Sequence, residues 1–244
     1  TIPRVCRSWH SAVQQLQRGQ LDISYTANNE YAAKSMRQLT SLVTWLSNCP
    51  GLVSGLSLGL PYMKDLYEAV EQLLYLKLKQ SSAVGADSPI STASRPPQLQ
   101  LQLLVATSLV RPRLLTVLTP STLVSLNITI NSRGMSNLER NVAWGAALGA
   151  LTALTSLNLA IDHGALPDNC LDRISALSQL RHLSLNSVGS RSTNGLQQIP
   201  ATVQDLRLTL VSRGNGPGVT TVVDIQQLTA LTLLSLDAYY VKLL

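Results

Sequence analysis

Apolar positions recur along this chain in one unit, Leu-x-x-Leu-x-Leu, with polar residues filling the gaps. The clearest copies are Leu154, Leu157 and Leu159; Leu180, Leu183 and Leu185; Val203, Leu206 and Leu208; and Leu231, Leu234 and Leu236. Earlier copies read Val53, Leu56 and Leu58; Leu73, Leu76 and Leu78; and Leu123, Leu126 and Ile128, with a weaker one at Leu99, Leu101 and Leu103. The middle positions, Leu56, Leu76, Leu101, Leu126, Leu157, Leu183, Leu206 and Leu234, stand 20 to 31 residues apart, about 25 on average. The Leu-x-Leu ending alternates, so it predicts a short strand with its apolar side chains on one face. Apolar residues spaced by three precede it, as in Leu148, Leu151 and Leu154 or Ile174, Leu177 and Leu180. They predict one stripe of a helix or helical turn. A single unit cannot bury either face. Stacked units can, which predicts a repeating array with a parallel sheet along its concave side.

Two stretches interrupt the pattern. Residues 80–98, rich in Ser, Ala and Pro, read as a loop inserted in one repeat. Residues 211–221 are Gly-rich but carry no Gly-Lys-Ser/Thr ending, so they read as a turn and not a phosphate loop. Upstream of the array, Leu21 to Ile23 alternates like a degenerate first strand. Met36, Leu39, Leu42, Val43 and Leu46 then lie at helical spacing ahead of Cys49-Pro50.

These residues resemble the leucine-rich-repeat family over residues 50–244, in about eight copies. The resemblance implies an α/β leucine-rich-repeat solenoid, a horseshoe with a parallel concave sheet and a short N-terminal helical cap. The family motif continues to an Asn three residues past the last Leu, and Leu123 to Asn131 matches it in full. Asp162 holds that place in the next copy, whereas Pro61, Ser81, Val188, Val211 and Tyr239 hold it elsewhere, which implies an irregular coil. Residues 1–18 fall outside the repeat. There Val5, Cys6, Arg7 and Trp9 resemble the closing helix of an F-box, and Cys49-Pro50 resembles the start of the cysteine-containing repeats found in F-box proteins. The resemblance implies that Val5, Cys6, Arg7 and Trp9 contact a Skp-type adaptor of a cullin ubiquitin ligase. The other reading of 1–18 is an amphipathic cap, with Val5, Trp9, Val13 and Leu16 covering the end of the solenoid. Residues 19–49 then form the degenerate first repeat and linking helix.

Composition sharpens this picture. About a fifth of the 244 residues are Leu, Phe is absent, and only 13% are charged, which suits one small packing unit used repeatedly. The net charge of +6 is scattered from Arg4 to Lys242 without a basic run or interleaved aromatics, so no nucleic-acid partner is expected. Cys6, Cys49 and Cys170 are odd in number and widely spaced, which predicts reduced thiols and neither a disulfide framework nor a zinc site. Arg4 and Arg7 occupy the place of a signal-peptide core, and no run reaches the ~20 apolar residues of a membrane span. A cytoplasmic or nuclear location is expected, without a membrane partner.

Candidate chemistry is sparse. His10 adjoins Trp9, His163 lies in a turn before Gly164, and His182 projects from a strand where a pair with Asp205 across neighbouring coils is geometrically open. No nucleophile or metal-ligand spacing accompanies them, so no enzymatic activity, cofactor or metal is expected. Asn127-Ile128-Thr129 is a glycosylation sequon on an expected strand, and reads as coincidental. Function should instead come from strand positions flanking the inward leucines. These are Tyr75, Lys77, Asn127, Asn158, His182, Ser184, Asn186, Asp205, Arg207, Ser235 and Asp237, a small polar surface suited to a protein ligand. Tyr75, His182 and Arg207 are its largest anchors. The expected function is protein recognition as the substrate receptor of an F-box type ubiquitin ligase. The alternative is a cytoskeletal or axonemal leucine-rich-repeat scaffold with no role in ubiquitin transfer.

Overall fold

The computed structural model describes residues 21–26, 32–48, 53–59, 72, 75, 101–106, 112–116, 118, 121–130, 143–161, 170–189, 196–211, 221–223, 225–238 and 241–243. Among the described residues the fold is α/β, with one eight-stranded parallel sheet and few helices. Its strands are β1 (Leu21–Thr26), β2 (Val53–Gly59), β3 (Leu103–Ala106), β4 (Ser125–Ile130), β5 (Ser156–Ile161), β6 (His182–Gly189), β7 (Asp205–Val211) and β9 (Leu233–Ala238), each paired with the next in that order. A separate parallel pair joins β8 (Thr221–Val223) to β10 (Val241–Leu243). The helices whose ends are described are α1 (Ala32–Asn48), α2 (Pro112–Leu115) and α3 (Ala143–Gly149), with a 3-10 turn at Ile174–Ala176.

Alternation sets which side of each strand is buried. Leu56, Leu104, Leu126, Leu157, Leu183, Leu206 and Leu234 meet across the sheet in one register row. Leu58, Ala106, Ile128, Leu159, Leu185, Leu208 and Leu236 form the next row. From β2 to β7 both rows are buried; on β9 Leu234 and Leu236 are only partly so. The helices and turns supply the other wall of the same core, with Leu39, Leu42, Val43 and Leu46 of α1 and Trp144 and Leu148 of α3 all buried in it. Ser41 and Thr44 are accommodated within α1 because their hydroxyls donate to the carbonyls of Arg37 and Thr40, four residues back. At the end of α3, Gly149 stands where a Cβ would meet the Cβ and carbonyl oxygen of Arg173, so the close approach of these two segments requires glycine.

The apolar spacing of three has a direct structural cause. Backbone N–H groups of Leu151, Leu154, Ile174, Leu177, Leu180, Leu228 and Leu231 each donate to the carbonyl three residues earlier. Turns of that period return side chains to the same side every third residue, so the preceding apolar residues all face the core. Each staircase ends where its strand begins. There a second recurrent feature appears: the carbonyls of Gln102, Val124, Thr155, Arg181 and Gln204 each accept two consecutive N–H groups from the segment that follows. Thr155 and Thr232 add their hydroxyls to the carbonyls of Val124 and Gln204. These bonds pair the backbone groups with which the strands begin.

β6 departs from alternation near its end. After Leu183 and Leu185, Ser187 would face the core where Ile130 and Ile161 stand in β4 and β5. Instead Ser187 adopts φ 66° and is bulged out, so that Val188 pairs with Leu210 and is buried. The left-handed conformation costs a non-glycine residue ~1–2 kcal/mol. Ser187→Val is accordingly expected to lower stability by about 1–2 kcal/mol and Ser187→Gly to leave it equal or higher. Thermal melts of the three proteins should rank Gly at or above Ser, and both above Val. Equal melts would refute a strained bulge.

Candidate functional site

Parallel sheets in most proteins are covered on both faces. In this one the outward face is polar and reaches solvent. Its central row runs Ser24, Ser57, Val105, Asn127, Asn158, Ser184, Arg207 and Ser235, each residue the register partner of the next. A second row runs Asp22, Gly55, Leu103, Ser125, Ser156, His182, Asp205 and Leu233. A third includes Asn186, Thr209 and Asp237 on β6, β7 and β9. The structure thus brings Asn127, Asn158, His182, Ser184, Asn186, Asp205, Arg207, Ser235 and Asp237 onto one continuous surface.

Tyr75 does not share it. Gln72 and Tyr75 are helical, and β2 pairs directly with β3, so the copy at Leu73, Leu76 and Leu78 supplies no strand between them. The physical reason lies in the local sequence. Residues 63–79 are dominated by Leu, Lys, Glu, Gln, Ala and Met, strong helix formers, with Val70 the one β-branched residue. Tyr75 is half-buried, with the Arg113 guanidinium 3.8 Å from its ring centroid. The contact sets Tyr75 against α2. Lys77 lies outside the described residues, as do Val5, Cys6, Arg7 and Trp9, the loop at 80–98 and the Asn131 and Asp162 positions.

Two surface residues escape the sequence reading. Leu104, not Leu101, aligns with Leu56 and Leu126, so the frame of this copy is Leu101, Leu104 and Ala106. Leu103 and Val105 consequently project outward, half-buried, as an apolar island between Gly55 and Ser57 on β2 and Ser125 and Asn127 on β4. The signal was weak because Ala106 is a small final anchor, whereas Leu99, Leu101 and Leu103 offer a better-looking alternation.

The charged end of the face lies on β6 and β7. Arg207 donates from Nε to Asp205 Oδ1 at 3.2 Å and from Nη2 to Oδ2 at 3.1 Å, a two-point contact between residues on one face of one strand. These hydrogen bonds raise the Arg207 pKa above its ordinary value, with the Asp205 charge adding to them. His182 Nδ1 is 3.8 Å from Asp205 Oδ2, an electrostatic approach too long for a hydrogen bond. His182 and Arg207 are both exposed, with 56% and 59% of their side-chain surfaces accessible, against 21% for Asp205. At the opposite end, Asp22 accepts a hydrogen bond of 3.0 Å from Ser54, the extra residue at the β1–β2 register shift, and its carboxylate fills the space above Gly55.

Among the described residues, no described hydrogen bond links His182 to Ser184 or another nucleophile, and no three His, Cys, Asp or Glu side chains converge as metal ligands. No described helix is long and apolar enough to cross a membrane. Compared with known proteins, the chain matches no family model, no curated protein and no solved structure.

Proposed function

We propose that this chain is a leucine-rich-repeat solenoid that recognises a protein partner through the open face of its sheet, as the substrate-receptor part of an F-box type ubiquitin ligase. The observation carrying the recognition role is a parallel sheet whose strands follow chain order while its outward face remains polar and accessible. That combination departs from the two-sided burial of ordinary parallel sheets. It fits stacked units that each bury one side. The face runs across seven strand spacings of ~4.8 Å, roughly 34 Å in all, an extended surface matched to a protein and too long for a small-molecule pocket. The receptor role rests on the F-box resemblance at Val5, Cys6, Arg7 and Trp9 and on Cys49-Pro50.

The two parts have separate tests. Asn127→Arg with Asn158→Arg places two long cations at the centre of the face without touching the core. It should weaken capture of a cross-linked protein partner by more than tenfold while circular dichroism stays unchanged. Capture that is indifferent to this change would overturn the face as the recognition surface. For the receptor role, the full chain should co-purify with a Skp-type adaptor, and Trp9→Ala should abolish it. If the adaptor fails to bind while the face still binds its partner, the scaffold reading stands alone.

A further inference from the structure

The patch formed by His182, Ser184, Asp205 and Arg207 has a shape and charge balance that select a ligand chemistry. Register pairs His182 with Asp205 and Ser184 with Arg207, so the four make a two-by-two block on adjacent strands. The spacings are ~4.8 Å across the strands and roughly 6.6 Å along them. Two corners, His182 and Arg207, stand into solvent; Ser184 is short and half-buried between them. Ser184 is thus a low point, or notch, on the face, with the His182 side chain next to it along β6 and the Arg207 side chain across from it on β7, both reaching toward Asp205.

Asp205 decides what enters it. Both of its oxygens hold the Nε–Nη2 edge of Arg207, which fixes the plane of the guanidinium and offsets its charge. An approaching anion therefore gains little from Arg207, and Asp237, one strand over and one row along, opposes it further. The flat face of the guanidinium keeps its affinity for aromatic rings, because stacking depends on the plane and not on the occupied edge. Pinning also removes rotamer entropy that binding would otherwise cost.

We infer that the notch over Ser184 takes an aromatic side chain of the protein partner, stacked on Arg207 and flanked by His182. This rests on the reading of the sheet face as a recognition surface and names the chemistry of its anchor. N-acetyl-tryptophan amide is a suitable probe, titrated into the full chain labelled for observation of the Arg207 Nε–H and His182 ring signals. Both should move upfield by ring current and saturate, whereas N-acetyl-leucine amide and acetate should move neither. Arg207→Lys retains the charge but loses the plane, and should weaken the effect at His182 at least fivefold. Ser184→Leu fills the notch and should abolish it. Equal responses to leucine amide, a response to acetate alone, or no response to the tryptophan amide would each overturn the assignment. If it falls while partner capture still depends on Asn127 and Asn158, the aromatic anchor is wrong and the face is not; loss of both would remove the face itself.

Discussion

Leu157→Ala is expected to cost the fold about 3–5 kcal/mol, whereas Asn158→Ala, its neighbour on the same strand, should cost less than about 1 kcal/mol. Leu157 is buried in the row between Leu126 and Leu183, while Asn158 lies half-buried between Asn127 and Ser184 on the open face. Truncating Leu157 removes transfer free energy and leaves a cavity bounded by leucines of the two neighbouring strands, which cannot close in without breaking their own register. Because Leu157 stands between Leu126 and Leu183 in the row, the loss spreads to β4 and β6. Against a typical total of ~5–15 kcal/mol this is a large fraction of stability. Urea unfolding of both variants measures the contrast. Similar midpoints would mean that the sheet does not have one buried and one open face.

The regular part of this fold was legible because one physical constraint writes it repeatedly. Leu157 and Leu159, Leu183 and Leu185, and Leu206 and Leu208 alternate into the core from strands that the period-two reading locates within a residue or two. The spacing of three in Ile174, Leu177 and Leu180 was legible as a stripe of a helix or helical turn, and the structure shows the turn. Where two periods fit the same leucines, the sequence was ambiguous. The copy at Leu73, Leu76 and Leu78 reads as a strand by its spacing, yet it lies among strong helix formers, and Gln72 and Tyr75 are helical. At β3 a small anchor, Ala106, hid the correct frame and with it the outward Leu103 and Val105.

The open-face residues were legible for the same reason as the core, since alternation fixes both sides at once. Their mutual geometry was not. That His182 and Asp205 are direct register partners depends on how successive turns align their strands, and that Asp205 commits to Arg207 depends on side-chain reach within β7. The bulge at Ser187 could be suspected from Val188, which breaks the alternation after Leu185, but its placement needs the pairing with Leu210.

Raising the pH should destabilise the protein through Cys170 in a way that removing this thiol suppresses. Cys170 is 1% exposed at the start of the staircase through Leu171 and Ile174, and burial, with a smaller contribution from the Asp172 charge, pushes its pKa up from 9.0 to about 12. The unfolded chain then releases this proton near pH 9.0 while the folded chain keeps it to about 12. Between those values the unfolded state binds fewer protons, so stability falls as pH rises. The thiol's contribution is fully present below pH 9.0 and is lost as pH climbs through about 12. The slope approaches ~1.4 kcal/mol per pH unit, or roughly 2 kcal/mol between pH 8 and 10.5. Tyrosines and lysines titrate in the same range, so the measurement is the difference in slope between the wild type and Cys170→Ala, from urea unfolding at pH 8 and 10.5. Cys170→Ala should begin less stable through its lost packing and converge on the wild type as pH rises. Parallel pH profiles would show that Cys170 ionises without unfolding, and hence that the core around Leu171 and Ile174 admits water.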